Sequence, residues 1–192
     1  RVIKKWLYYV REKESNFQGK RQIQELFPNA LVGESYGRSE ILPQGGAQTP
    51  LYRHKPGFVG TFQLNKAMIV DLETGTKEMP PNINGELIVK GPAVMKGYWN
   101  NPEETKMALR DGWLYTGDIA LMDEEGYVKL FGQKKEIIKS SGFTVFPHEV
   151  EDDLNRHPAV KEAVVVGISD SYQAEMLKAF IILKQDYVGN VT

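Results

Sequence analysis

The sequence predicts an α+β chain in which a β-rich body gives way to a small α/β unit. Three observations predict it. Between residues 58 and 98 the apolar residues fall in compact runs, Ala67–Asp71 and Glu86–Lys90, set apart by turn residues at Thr74-Gly75 and from Pro80 to Gly85. Well-formed helix starts are few: Asn101-Pro102-Glu103-Glu104 supplies a cap, a first-turn proline and two acids facing the dipole, and a second helix opens at Pro147. The polar turn Gly132 to Lys135 separates the body from a tail in which the Pro147 helix precedes two apolar stretches, Val160–Ile168 and Met176–Lys184.

The elements follow in order. Residues 2 to 14 place Val2, Trp6 and Val10, with Ile3 and Leu7, on one helical face, and a short helix over 20 to 27 stops before Pro28. Ala30 to Gly37 reads as a buried strand entering a glycine-bracketed turn, and residues 43 to 57 as loop. The helix opened at Asn101 is expected to end at Asp111-Gly112. Tyr127–Phe131 is a further strand. Val150 and Leu154 share a face of the Pro147 helix, and Pro158 ends it. The two last strands are apolar enough for a covered sheet.

Composition narrows the function classes. With 192 residues and 41% hydrophobic content the chain can bury a core. Twenty-four Lys and Arg against 25 Asp and Glu leave a net charge of −1, which supplies no general attraction to nucleic acid or membrane. The basic excess in the first 25 residues, Arg1, Lys4, Lys5, Arg11, Lys13, Lys20 and Arg21 against three glutamates, reads as a solvated helix face. The absence of cysteine excludes disulfides and thiolate metal sites and fits a reducing, cytoplasmic setting. No apolar run is long enough for a membrane span, and Arg1 to Lys5 does not open a signal peptide. His54, His148 and His157 lack metal-ligand spacing, and neither a Gly-x-Ser-x-Gly elbow nor a Walker-type glycine loop is present.

Three stretches carry candidate chemistry. In Tyr36-Gly37-Arg38-Ser39-Glu40 the aromatic can stack on a planar base, the hydroxyl can reach a phosphate, and the carboxylate can hold a hard cation such as Mg²⁺. The same five residues also suit an ordinary turn. In Tyr115-Thr116-Gly117-Asp118 an acid after a tight glycine turn can accept two hydrogen bonds from a vicinal diol, or can cap the end of a strand. Lys134, Lys135 and Lys139 offer compact charge for a phosphate or an oxyanion, or form a solvated basic turn. Ser141-Gly142 can admit close approach of a ligand to the backbone.

The order and spacing of these stretches, with Gly85-Glu86-Leu87 and Gly97-Tyr98-Trp99-Asn100 between them, resemble the adenylate-forming superfamily over residues 30 to 192. That superfamily comprises acyl- and aryl-CoA synthetases, firefly-type luciferases and peptide-synthetase adenylation domains. The resemblance implies that residues 1 to 131 are the C-terminal portion of a large adenylating domain, with a β-rich, barrel-like subdomain. It implies that 132 to 192 are the hinge and a truncated α/β lid.

It also implies roles for individual residues. Tyr36 would stack on adenine, with Glu34 and Ser35 along its edge. Ser39 takes the place of a threonine near the α-phosphate, Glu40 would ligate Mg²⁺, and Asp118 would hold both ribose hydroxyls. Gln133 stands where an arginine usually contacts ribose, and Arg38 where a small or apolar residue is usual. Lys135 would be the hinge, while Lys139, Ser141 and Gly142 would serve the thioester step near pantetheine. Ser39, Glu40 and Lys139 are the expected catalytic residues.

The implied reaction has two steps: a carboxylate attacks the α-phosphate of ATP, and the thiol of coenzyme A then displaces AMP. A fatty or aryl acid is the expected substrate. The chain opens without methionine and reads as an interior piece of a protein about three times longer, with a phosphate loop expected before residue 1 and a catalytic lysine after Thr192. Adenylation by these residues alone is not expected. A domain that loads a carrier protein, an oxidative relative and a non-catalytic nucleotide-binding module are the alternatives.

Overall fold

The computed structural model describes residues 7–10, 25–28, 31–42, 45–49, 53–170 and 174–187. The chain divides into two compact units, residues 1–130 and 131–192.

In the first unit β1 (Leu7–Val10) runs parallel to β2 (Leu31–Glu34), pairing Leu7 with Leu31 and Val10 with Glu34. The helix expected over 2 to 14 is therefore corrected at these four positions. Leu-Tyr-Tyr-Val is rich in residues that favour strands, and pairing with β2 outweighs the helical spacing of Val10 and its neighbours. The rest of that helix and its basic face lie outside the described residues. Glu25 and Leu26 are helical just before Pro28, as expected.

Within the expected loop 43 to 57, β3 (Ala47–Gln48) pairs antiparallel with β4 (Thr61–Phe62). The larger sheet runs in the order β5 (Lys66–Val70), β6 (Gly85–Lys90), β8 (Trp113–Met122), β7 (Leu109–Arg110), and β9 (Val128–Gln133) also pairs with β8. The β5–β6, β6–β8 and β7–β8 pairs are antiparallel, with Ile69 opposite Leu87 and Val89 opposite Leu114. These residues, with Tyr36, Ile41, Ala47, Val59, Ala120 and Val128, form one buried core. Burial on that scale is the main driving force for the unit. Among the described residues the sheets stay open, so the barrel-like expectation reduces to a strand-rich body.

The helix Pro102–Ala108 starts as the sequence predicts, with the Asn101 side chain accepting from the Glu104 amide at 3.2 Å. It ends earlier than expected. Leu109 and Arg110 pair with Leu114 and Trp113, and Asp111 and Gly112, at φ 51° and 79°, form the two-residue turn between them. Asp-Gly serves both helix ends and hairpins because both need positive φ; here the hairpin prevails.

In the second unit the sheet order is β11 (Phe143–Val145), β10 (Ile138–Ser140), β13 (Ala174–Leu183), β12 (Val160–Asp170), all antiparallel. The unit thus combines a helix with an antiparallel sheet. The helix Pro147–Asn155 packs on β12, where Glu151 Oε1 accepts from the Val165 amide at 2.7 Å. Ala163 and Val165 are buried, whereas Val164, Phe180 and Ile182 are exposed, so one face of the expected covered sheet is open among the described residues. No helix among the described residues is long and apolar enough to cross a membrane.

Candidate functional site

The stretch from Glu34 to Glu40 leaves β2 and is fixed by β3 and its flanking residues Gly46 and Thr49. The Thr49 hydroxyl donates to the Glu34 carbonyl at 2.9 Å and accepts from the Glu34 amide at 3.0 Å. Ser35 bridges to Gln48, and the Tyr36 amide donates to the Ala47 carbonyl at 2.9 Å. Gly46 lies so close that an added Cβ would sit 1.9 Å from the Tyr36 carbonyl oxygen. This glycine is a packing requirement.

Asp118 is delivered by an irregularity inside β8 rather than by a strand end. The β6–β8 register passes from Glu86–Ile119 to Ile88–Tyr115, so Leu87 alone faces Thr116, Gly117 and Asp118. Gly117, at φ 70°, makes the bulge possible. Its amide donates to Glu86 Oε1 at 3.1 Å, and the Thr116 hydroxyl donates to the Leu87 carbonyl at 2.7 Å and accepts from the Asp118 amide at 3.1 Å. The result is a buried carboxylate on a rigid backbone.

The two stretches meet at that carboxylate. The Tyr36 hydroxyl donates to Asp118 Oδ2 at 2.6 Å, and Arg38 Nη1 donates to the same oxygen at 2.7 Å. Arg38 Nε lies 3.5 Å from Glu40 Oε2, and the Tyr98 hydroxyl donates to Glu40 Oε1 at 2.8 Å. Tyr98 is itself held by its amide, which donates to the hydroxyl of Thr105 on the capped helix at 2.9 Å. One arginine thus bridges two carboxylates that a phenol supports on either side.

The protonation equilibria follow from this arrangement. Burial and the neighbouring Asp118 carboxylate push the Tyr36 hydroxyl well above the usual tyrosine range, so it remains a donor. Burial opposes the charge on Arg38, but the hydrogen bond and attraction of Asp118 outweigh it and raise its pKa further. Burial likewise opposes the Glu40 charge, yet the Tyr98 hydrogen bond and Arg38 hold its carboxyl below the usual range.

Of the predicted nucleotide residues, Glu34, Ser35, Tyr36, Ser39, Glu40 and Asp118 lie in the first unit, and Tyr36, Glu40 and Asp118 join one network through Arg38. Ser39 is exposed on the turn. Tyr36 is 5% exposed and packs edge-on against Phe62 with ring centroids 6.2 Å apart. Arg38 and Tyr98 complete the network. Their partners lie 80 and 58 positions away, beyond the reach of local spacing.

Gln133, Lys135, Lys139, Ser141 and Gly142 lie in the second unit. The Gln133 amide donates to Glu136 Oε2 at 3.1 Å, at the start of the 3-10 turn Lys134–Glu136 that contains Lys135. Lys139 Nζ donates to the Thr144 hydroxyl at 2.8 Å, and its amide donates to Glu175 Oε2 at 2.6 Å. Ser141 and Gly142, at φ 50° and 83°, form a type I′ hairpin turn between β10 and β11.

Glu40 accepts from Tyr98 at one oxygen and pairs with Arg38 at the other, so a cation carried on a nucleotide would have to share this carboxylate with them. Among the described residues no three His, Cys, Asp or Glu side chains form a group that could hold a metal ion by themselves. Mg²⁺ characteristically takes one or two carboxylates and completes its shell with phosphate and water.

Fold and motif order are those of the AMP-binding enzymes. The chain belongs to the AMP-binding enzyme family: residues 17–99 match the AMP-binding enzyme family, and residues 149–191 match the AMP-binding enzyme C-terminal domain. It is 46% identical over 167 residues to a long-chain-fatty-acid–CoA ligase of Bacillus subtilis, covering 86% of this chain and 30% of that protein. It is 39% identical over 168 residues to 4-coumarate–CoA ligase 1 of Glycine max, covering 84% of this chain and 57% of that protein. Among solved structures, ATP-bound MatB from Rhodopseudomonas palustris superposes with a TM-score of 0.82 at 33% identity, over 93% of this chain and 35% of that one. The chain therefore spans less than two thirds of each of these proteins.

Proposed function

We propose that the whole protein is an AMP-forming acid–thiol ligase that activates a carboxylic acid, of the fatty-acid type, and transfers the acyl group to coenzyme A. The observation that carries this reading is the buried Asp118 carboxylate, held by Tyr36 and Arg38 with Glu40 beside it, in a chain of the AMP-binding family. The identity to a long-chain-fatty-acid–CoA ligase supports the choice of acid.

In the first step a carboxylate oxygen of the acid bonds to the α-phosphorus of ATP, and pyrophosphate leaves with the electrons of the broken P–O bond. In the second a thiol sulfur bonds to the acyl carbon and AMP leaves. A free carboxylate is a poor acyl donor; AMP gives it a good leaving group. Asp118 accepts from the ribose hydroxyls, Glu34 and Ser35 border the base with Tyr36, and Ser39 meets the α-phosphate. Glu40 would hold Mg²⁺ carried on the nucleotide, which neutralises charge on the phosphates. In the second unit Gln133 contacts ribose, Lys135 is the hinge, and Lys139 with Ser141 and Gly142 serves the thioester step.

The test is pyrophosphate exchange by the intact protein across saturated fatty acids, aryl acids including 4-coumarate, and amino acids. Exchange dependent on a long-chain acid, abolished by Asp118→Ala, is the expected result. Exchange with aryl acids alone would move the substrate class, and no exchange with any acid would overturn the ligase reading.

A further inference from the structure

Oδ2 of Asp118 receives both the Tyr36 hydroxyl and Arg38 Nη1, which fills the two acceptor positions of that oxygen. Oδ1 receives no side-chain donor among the described residues. A carboxylate that clasps a vicinal diol uses both oxygens, one for each hydroxyl. To take a ribose in that way, Asp118 must give up one of its present donors.

The two donors differ in what holds them. Tyr36 is 5% exposed, belongs to the core, and has its backbone tied to Ala47. Moving its ring would open the core. The Arg38 side chain is 27% exposed and stands on the Tyr36–Glu40 turn, where its carbonyl accepts the turn-closing Ile41 amide at 3.0 Å. Its partly exposed stem lies outside the core cluster, so it can reorient without opening the core. Arg38 is the donor that leaves.

Its departure has a cost that depends on the ligand. A nucleoside would take the Asp118 oxygen and leave the guanidinium with Glu40 alone. A nucleotide brings a phosphate to the same turn, and guanidinium pairs with phosphate through two parallel hydrogen bonds. We infer that Arg38 is a specificity-determining residue of the nucleotide site: its guanidinium competes with the ribose diol for Asp118 and is drawn off by the ligand's phosphate. The chain therefore selects phosphorylated ligands by obstructing the others, a repulsive route to specificity. The inference rests on the nucleotide reading of the preceding subsection.

Calorimetric titration of the intact protein with AMP and with adenosine tests it. The wild type is expected to prefer AMP. Arg38→Leu is expected to tighten adenosine and weaken AMP, so that the preference falls about tenfold or more, a factor equal to about 1.4 kcal/mol. Should that variant fail to fold, Arg38→Gln, which keeps polar donors without the charge, must give the same fall. An unchanged ratio in a folded variant, with AMP still bound by the wild type, overturns this inference and leaves the nucleotide reading standing. Failure of the wild type to bind either ligand overturns both.

Discussion

The Tyr98 hydroxyl reaches Glu40 Oε1 at 2.8 Å across 58 positions of sequence, and the capped helix at Pro102 determines that it does. The Asn101 cap starts the helix, Thr105 on its first turn holds the Tyr98 amide, and Tyr98 holds the carboxylate. An apparently peripheral seven-residue helix thus sets the orientation of the candidate cation ligand.

Tyr98→Phe removes this bond while keeping the ring. Its expected cost is about 1 kcal/mol, below the usual value for a charged acceptor because both groups are partly exposed. The Glu40 carboxyl is held below its ordinary pKa, so the stabilisation is complete above the ordinary carboxylate value. It is lost as pH falls through the lowered one. Urea denaturation of both proteins should therefore give a gap that is constant near neutrality and closes in acid. A gap that widens in acid would contradict the sign.

Gly46→Ala and Gly37→Ala form a matched pair. The first places a methyl group 1.9 Å from the Tyr36 carbonyl and must push β3 away from Tyr36, whereas the second meets nothing within 4 Å. Thermal unfolding should register a loss of roughly 2 kcal/mol or more for Gly46→Ala and less than about 0.5 kcal/mol for Gly37→Ala. Equal losses would show that the close approach does not constrain the fold.

Gly117 is tested through its backbone alone, because an added Cβ has open space. At φ 70° alanine is strained by roughly 1–2 kcal/mol, and asparagine, which tolerates this region, by less. AMP affinity should follow the same order, since the bulge aims Asp118. An alanine variant with undiminished affinity would remove the bulge from the account of the site.

The Ser141-Gly142 turn separates a structural role from a binding role. Gly142→Ala should destabilise the hairpin by about 1 kcal/mol, and Ser141→Gly should leave it equal or slightly firmer. If the turn also meets pantetheine, Gly142→Ala will raise the KM for coenzyme A at temperatures where the variant remains fully folded. An unchanged KM assigns the turn to the fold alone.

Much of the candidate site is legible because its residues are concentrated in short stretches. Tyr36 to Glu40 and Thr116 to Asp118 each carry their chemistry within five residues, and their order along the chain pointed to the family. What escaped was pairing between stretches. Nothing near Arg38 indicates a carboxylate 80 positions away, and nothing near Tyr98 indicates Glu40. The misread elements have a similar cause. Leu7–Val10 became a strand because β2 was available to pair with it, and Asp111-Gly112 became a hairpin turn because Trp113 and Leu114 paired back onto Arg110 and Leu109. In both cases pairing with another strand, β2 for Leu7–Val10 and the adjacent β8 for Leu109–Arg110, selected among conformations that the local chemistry allows.

The Tyr36–Asp118 hydrogen bond closes a span of 82 positions, which bears on how the protein is made. A ribosome adds about 5–20 residues per second, so Tyr36 is synthesised roughly 4 to 16 s before its partner. For that interval a side chain destined for the core and a guanidinium destined for a carboxylate are both unsatisfied, while nearby hairpins can already form in microseconds. The site is therefore a late product of translation. Protection of the nascent segment by a chaperone, or a change in elongation rate between these codons, acts on the candidate site before any ligand does.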